Sequence, residues 1–289
     1  MAILTYDGRP LDCSSYLTDP SPYNFLSFVD SGYSWEKMFE VDLSPQDVYG
    51  DGTHYFEDFG DSSNSHHRAL NTSTSTWVSY DGFTKEGAST PTKVYLGRNV
   101  WSFQGNFYYS YYSAQHFMNL SRRTFSDKTW DGLTSFLGVN TWSDGDSSKM
   151  YMSSGNRHYV LTLYNGSYVW LNPPFDEEIT LSGVDVWRDL NNNVYYSNGT
   201  TQYQFNKSAN TWSEKTWYGI SEFSGRYVWN NNQNIFVSDD NHNMYKLNTS
   251  TSTWTPITFG GPWLRPMGRH TYWYGGNLYW GEYKLNFPS

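Results

Sequence analysis

Three arginines, Arg98, Arg226 and Arg269, occupy the same place in three copies of a repeated unit. On a closed ring of such units they aim at one end of the axis, where guanidiniums hold a carboxylate through paired, charge-assisted hydrogen bonds. A second group is Tyr108, Tyr109, Tyr111 and Tyr112. Alternation along a strand buries some of these and exposes others, and a bulge near Ser110 would turn more of them to one rim, where tyrosine suits ligand contact. Asp144, Asp146 and Ser148 alternate in SDGDSS and match calcium donors in type, but the segment lacks the other ligands of a calcium loop and reads as a solvated turn. His54, His66, His67, His116, His158, His242 and His270 fall mostly at hairpin turns of different units, without metal-ligand spacing. His66 and His67 are adjacent, so in a strand they point to opposite faces. There is no phosphate-binding loop, dinucleotide fingerprint or nucleophile elbow, and the expectation is of no catalytic set, no metal and no cofactor.

The elements that must position these residues are written in a repeat. Small-polar runs close on Trp35, Trp77, Phe125, Trp170, Trp212 and Trp254 at intervals of 42 to 48 residues, and the run LNTSTSTW ends identically at Trp77 and Trp254. That period is the length of a four-stranded propeller blade. The unit from Gly225 to Trp254 divides into short β-rich runs at Tyr227 to Trp229, Ile235 to Ser238 and Met244 to Leu247, then a fourth beginning at Trp254, with Asn- and Asp-rich turns between them. Glycine precedes an aromatic by four residues in Gly97/Trp101, Gly138/Trp142, Gly183/Trp187, Gly225/Trp229 and Gly268/Tyr272, with Pro45/Tyr49 in the first copy, which marks the innermost strand of each blade. The segments SDKTWDGLTSFLG and SEKTWYGISEFSG link blades and end on glycines that suit positive φ or close backbone approach.

The fold class expected is all-β: a six-bladed propeller of four-stranded antiparallel blades in one domain. Blades one to five span 45–83, 95–130, 138–174, 183–217 and 225–258. Residues 268–289 hold only three strands of the sixth blade, so a segment within 26–44 must supply its fourth strand and close the ring, which removes exposed sheet edges. Residues 1–25 remain as an extension. In this repeat position the closing aromatics Trp35, Trp77, Phe125, Trp170, Trp212 and Trp254 are expected as core wedges between blades.

Composition narrows the function. A net charge of −9 with no basic stripe excludes a phosphate-backbone binder. The MAILTYDG start has neither a basic n-region nor an apolar core of signal-peptide length, and no window is apolar for long enough to span a membrane as a helix. The single cysteine, Cys13, makes no intrachain disulfide, so stability must come from packing, for which 14 Trp, 26 Tyr and 17 Phe provide the material. Asn-x-Ser/Thr triplets begin at Asn71, Asn119, Asn165, Asn198, Asn206 and Asn248 and read as turn chemistry.

With an arginine opening the first strand (Arg98, Arg226, Arg269), an aromatic before Asn in the third (Tyr245, Asn248) and a Trp six residues later, the units resemble kelch repeats. They lack the double glycine, carrying Ser-Asn-Gly after Tyr196 and Ser-Asp-Asp after Val237 instead. Asp30 to Trp35 resembles the Asp-box turn of sialidases, with Phe28 where that turn leads with Ser. The wording of VYYSNGTTQYQFNKSANTW and KTWDGLTSF is similar to propeller repeats of bacteriophage tail and baseplate-associated proteins. That resemblance implies a non-enzymatic virion component, assembled in the host cytoplasm in one or several copies. Its partners would be other virion proteins or a host-surface glycan or protein, through a rim such as Tyr108 to Tyr112, with neither nucleic acid nor membrane insertion. Two alternatives stay open: a multivalent carbohydrate-binding lectin with sites between blades, and a sialidase-like glycoside hydrolase built on the three arginines.

Overall fold

The computed structural model describes residues 5–6, 9–10, 30–39, 48–59, 66–88, 96–172, 179–239, 243–260 and 271–287. They form six four-stranded antiparallel blades. Blade one is Val48–Gly50, Tyr55–Phe59, His66–Asn71 and Thr76–Ser79. Blade two is Val100–Phe103, Asn106–Tyr112, Ala114–Asn119 and Thr124–Asp127. Blades three and four follow the same order, from Thr141–Trp142 to Ser167–Leu171 and from Val186–Arg188 to Thr211–Glu214. Blade five runs from Val228–Asn230 to Thr253–Gly260.

The ring closes as the sequence requires. Thr271–Tyr274, Asn277–Trp280 and Tyr283–Asn286 are the first three strands of blade six, and Asp30–Lys37 pairs antiparallel with the third, Leu285 opposite Trp35. The end of blade five then lies parallel to this closing strand, Thr258 opposite Asp30, so the two blades share one sheet of eight strands.

Blades two to five each turn inward through a single 3₁₀ turn before the innermost strand: Gly97–Asn99, Gly138–Asn140, Gly183–Asp185 and Gly225–Tyr227. Close approach, not torsion, is what demands glycine at the last three. A Cβ on Gly138, Gly183 or Gly225 would stand 2.0, 1.8 and 1.9 Å from the carbonyl oxygens of Asn99, Asn140 and Asp185 in the preceding turn. The inner turns therefore stack backbone to backbone around the axis.

The core consists of six wedges, one between each pair of neighbouring blades. Trp77, Phe125, Trp170, Trp212 and Trp254 are buried in them, while the Trp35 side chain lies outside the described residues. Each outer-strand Trp meets the innermost aromatic of the blade before it, as in Trp101 with Trp170 at 6.0 Å and Trp142 with Trp212 at 5.6 Å. The crossovers that leave blades two and four add Trp130, which packs on Trp101 and Trp170, and Trp217, which packs on Trp187 and Trp254, each under a lysine ammonium (Lys128, Lys215). Phe39, leaving blade six, packs on Trp77 in the same way. Among the described residues no helix is long and apolar enough to cross a membrane.

Candidate functional site

A repeated hydrogen-bond relay runs through the inner half of the blades. In blades two, three and four the innermost Trp donates its indole N–H to a buried serine of the second strand: Trp101 to Ser110, Trp142 to Ser153 and Trp187 to Ser197, each at 2.9 Å. The residue opposite that serine on the third strand is Gln115, His158 or Gln202. Ser110 donates on to Gln115, whose amide in turn donates to the Tyr112 carbonyl. Ser153 and His158 Nδ1 lie 3.1 Å apart, and His158 Nε2 reaches the Ile179 carbonyl at 2.8 Å. Since that serine already accepts from the indole, it donates to Nδ1, which makes His158 neutral with its proton on Nε2. Burial accordingly pushes the His158 imidazole below its usual pKa.

Blade one carries a charged version of the same relay. Tyr49 replaces the Trp, Asp58 the serine, and His67 stands opposite Asp58. The Tyr49 hydroxyl donates to Asp58 Oδ2, while Oδ1 accepts from Tyr80 and from His67 Nδ1, both at 2.7 Å. Burial, and then the Asp58 charge, hold the Tyr49 and Tyr80 hydroxyls well above the usual phenol range. An imidazole oriented by a carboxylate is the arrangement of a general base. Here the His67 side chain is 4% exposed and lies beside Gly82 and Tyr80, so the group is enclosed within the blade and orders it.

The four tyrosines are divided. Tyr108 stacks on Trp101 at 4.8 Å, toward the wedge with blade three. Tyr109 faces the other wedge, parallel to the His116 ring, and burial raises its hydroxyl to about 12. Tyr111 and Tyr112 stand exposed at the end of the strand, their rings edge to face at 4.9 Å, with Tyr112 in the left-handed region at φ 52°. Of the two arrangements open at sequence level the strand takes plain alternation, not a bulge: pairing runs unbroken from Phe107 to Tyr111, and Ser110 is buried under the Trp101 indole.

Arg226 reaches back to the preceding blade. Its Nε and one terminal nitrogen donate to the two oxygens of the fully buried Asp185, at 2.9 and 3.1 Å, and Ser224 donates to the same carboxylate. Arg98 is exposed on the equivalent turn of blade two, across the ring from Arg226, and Arg269 lies outside the described residues. The structure thus joins Arg226 to a carboxylate of its own chain.

Asp144 is buried and accepts from the Asp146 amide and the Tyr151 hydroxyl, while the exposed Asp146 accepts from the amide and hydroxyl of Ser148. The histidines were expected mostly at turns, but four of them, His66, His67, His116 and His158, sit in the third strands of their blades. His66 is exposed and His67 buried, on opposite faces of one strand; His242 and His270 lie outside the described residues. Among the described residues no three His, Cys, Asp or Glu side chains gather as metal ligands. Asn71, Asn119, Asn206 and Asn248 accept hydrogen bonds from backbone amides two or three residues on, which makes them turn formers.

The concave surface lies on the axis. The innermost strands of blades six, one and two line a cavity of about 450 Å³, with Trp273, Tyr49, Phe107, Val100, Ser102 and Thr271 on its more open parts. Among the described residues, none that lines it is acidic or basic. Across the ring, the innermost strands of blades four and five bound a second hollow of about 380 Å³ that includes Arg188 and Asp189. Those two are engaged locally: Asp189 accepts from the Asn191 and Asn193 amides and the Tyr195 hydroxyl, and Arg188 contacts Asn192. Sequence reasoning missed the first cavity because its walls come from three blades, two of which meet only on ring closure. The one signal available was tyrosine, Tyr49 and Tyr272, standing where the other four copies have Trp.

The chain is a six-bladed β-propeller. No protein-family model matches it, and no curated protein does. Among solved structures it is similar to the extracellular domain of a candidate hybrid two-component system from B. thetaiotaomicron, 13% identical with a TM-score of 0.47 over 82% of this chain and 32% of that one. It is also similar to a candidate 6-phosphogluconolactonase from Bacteroides uniformis, 13% identical with a TM-score of 0.42 over 75% of this chain and 71% of that one. The extracellular domain of a candidate one-component system from B. thetaiotaomicron is 10% identical, with a TM-score of 0.42 over 77% of this chain and 29% of that one. The chain thus spans about a third of the first of these proteins. Likenesses at this depth say nothing of ligand, chemistry or cellular setting.

Proposed function

We propose that this propeller is a non-enzymatic binding or docking module, and that it serves in a bacteriophage tail or baseplate, against virion proteins or the host surface. The observation that carries the binding reading is the axial cavity, an aromatic, uncharged hollow within the size range of small-ligand sites. The titratable clusters of blade one and of the Asp185–Arg226 pair are engaged inside the fold, which supports binding over turnover. The virion setting is supported by the wording of the repeats alone.

The lectin alternative with sugars between blades has less support, because those spaces are filled by Phe125, Trp170, Trp212 and Trp254, each no more than 4% exposed. A sialidase-like clamp would require Arg226 to leave Asp185. The test is an array of bacterial surface polysaccharides, isolated glycans and purified tail proteins, probed with the labelled chain. Saturable binding without release of reducing ends is expected; cleavage of a bound glycan, or a blank across all three panels, overturns the reading.

A further inference from the structure

We infer that the axial cavity bounded by blades six, one and two is a site for one uncharged saccharide residue, carried on a glycan or polysaccharide chain. The inference rests on the binding reading above and names its ligand class. Three properties of the cavity lead to it.

The first is charge. Among the described residues the lining has no acidic or basic side chain, so an anionic or cationic ligand would lose its hydration without gaining a partner there. The chain's net charge of −9 adds a further penalty for anions. Phosphorylated ligands and acidic sugars are disfavoured on both grounds.

The second is the pairing of flat and polar surface. Trp273, Tyr49 and Phe107 are half-buried and line the hollow. Ser102 and Thr271 line it as well, with Gly50 and Gly52 from the first turn of blade one. A pyranose has one C–H face that packs on an aromatic ring and an equatorial belt of hydroxyls that needs donors and acceptors at its edge. A purely aliphatic ligand would leave the polar edge unpaired.

The third is rigidity. Tyr272 donates to the Gly281 carbonyl at 2.8 Å, Tyr49 to Asp58 and Trp101 to Ser110, so the aromatic wall is fixed from behind before any ligand arrives. Preorganised side chains lose little entropy on binding, which suits a small ligand whose contact area is limited. The blade-one relay thereby acquires a role: it orients Tyr49.

The experiment uses the full chain and follows intrinsic tryptophan fluorescence, since Trp101 and Trp273 line the cavity. Probes are methyl glucoside, methyl galactoside, N-acetylglucosamine and their neutral oligosaccharides, against glucuronic acid and N-acetylneuraminic acid. Calorimetry supplies the stoichiometry. Expected are one site per chain for at least one neutral probe and at least tenfold weaker binding of the acidic sugars. Ser102→Trp, which fills the hollow from an exposed position, should weaken binding at least tenfold with an unchanged melting temperature; Trp273→Ala should weaken it as much, with a lower melting temperature because that side chain also packs on the wedge between blades five and six. The double variant Tyr111→Ser, Tyr112→Ser should bind as the parent does. Retained binding in a folded Ser102→Trp, loss only in the tyrosine double variant, a preference for the acidic probes, or no response to any neutral probe overturns the inference. If whole polysaccharides on the array still bind while the cavity variants have no effect, this site is wrong and the binding reading stands. If the array is blank as well, both fall together.

Discussion

His67 Nδ1 lies 2.7 Å from Asp58 Oδ1 across the second and third strands of blade one, at the register position where blades two and four set Ser110 against Gln115 and Ser197 against Gln202. Both side chains are shielded from water, and Tyr49 and Tyr80 complete the coordination of the carboxylate. A buried charge held by three donors is costly to disturb from one side. Asp58→Ala leaves two hydroxyls and an imidazole facing an apolar gap, and should destabilise the fold by about 3–5 kcal/mol. The paired change Asp58→Ser with His67→Gln rebuilds the neutral relay of the other blades and should recover most of that loss. Urea denaturation of the three proteins decides it: a double variant no better than Asp58→Ala would mean that the charge itself is required.

Arg226 and Asp185 make a similar bond across the boundary of blades four and five, with one difference. The carboxylate is fully buried, whereas the arginine side chain is 41% exposed. Arg226→Ala should therefore cost about 2–3 kcal/mol, mostly from the stranded Asp185 and discounted for the arginine's contact with water. Arg226→Lys should recover less than half, since an ammonium cannot donate along two parallel directions. Equal stability of the Lys variant and the parent would show that charge alone suffices.

The ring itself was legible because tandem duplication prints the same structural demand several times. One buried Trp argues little, but the positions of Phe125, Trp170, Trp212 and Trp254 share a single cause, the wedge between blades, and the sequence repeats it. Closure could be read from a sixth blade one strand short, and Asp30–Lys37 supplies that strand. The site was far less legible. Trp273, Ser102 and Tyr49 are distant in sequence and neighbours only around the axis, so no local pattern announces them. The tyrosine run misled for a related reason: Tyr108 and Tyr109 look alike in sequence, yet alternation sends them into different wedges. The informative signal was departure from the repeat at Asp58, where blades two to five carry Ser110, Ser153, Ser197 and Ser238.

Two glycines with nearly equal torsions separate crowding from backbone strain. Gly132 (φ +86°) and Gly166 (φ +81°) both adopt the left-handed region, but a Cβ on Gly132 would stand 1.8 Å from the Trp170 carbonyl oxygen and one on Gly166 would meet nothing. Gly166→Ala should cost about 1 kcal/mol, the torsional penalty alone. Gly132→Ala must also push the crossover off blade three and break the hydrogen bond from the Trp170 amide to the Asp131 carbonyl, at 2.9 Å. It should cost roughly 3 kcal/mol or more. Similar melting temperatures for the two variants would show that the crossover is not held tightly on the outer strand.

Acidification should weaken the ring through its buried imidazoles. Burial lowers the pKa of His158 and of His116, the latter against an opposing pull from Asp127. A depressed folded-state pKa means that the neutral ring is favoured by the fold, so this stability is present above the unfolded value of about 6.5 and is lost as pH falls through the lower folded values. The cause at His158 is visible in its bonds: Nδ1 already accepts from Ser153, so a proton there would displace a hydrogen bond in a site without water to replace it. Melting temperature should hold from pH 8 to 7 and decline between about pH 6.5 and 5. His158→Gln, which takes the side chain found at the same position in blades two and four, should flatten that decline while keeping the melting temperature at pH 8 within a few degrees. A slope unchanged in His158→Gln would assign the acid sensitivity to His116 or to the carboxylates, and a parent whose stability rises on acidification would contradict the burial argument outright.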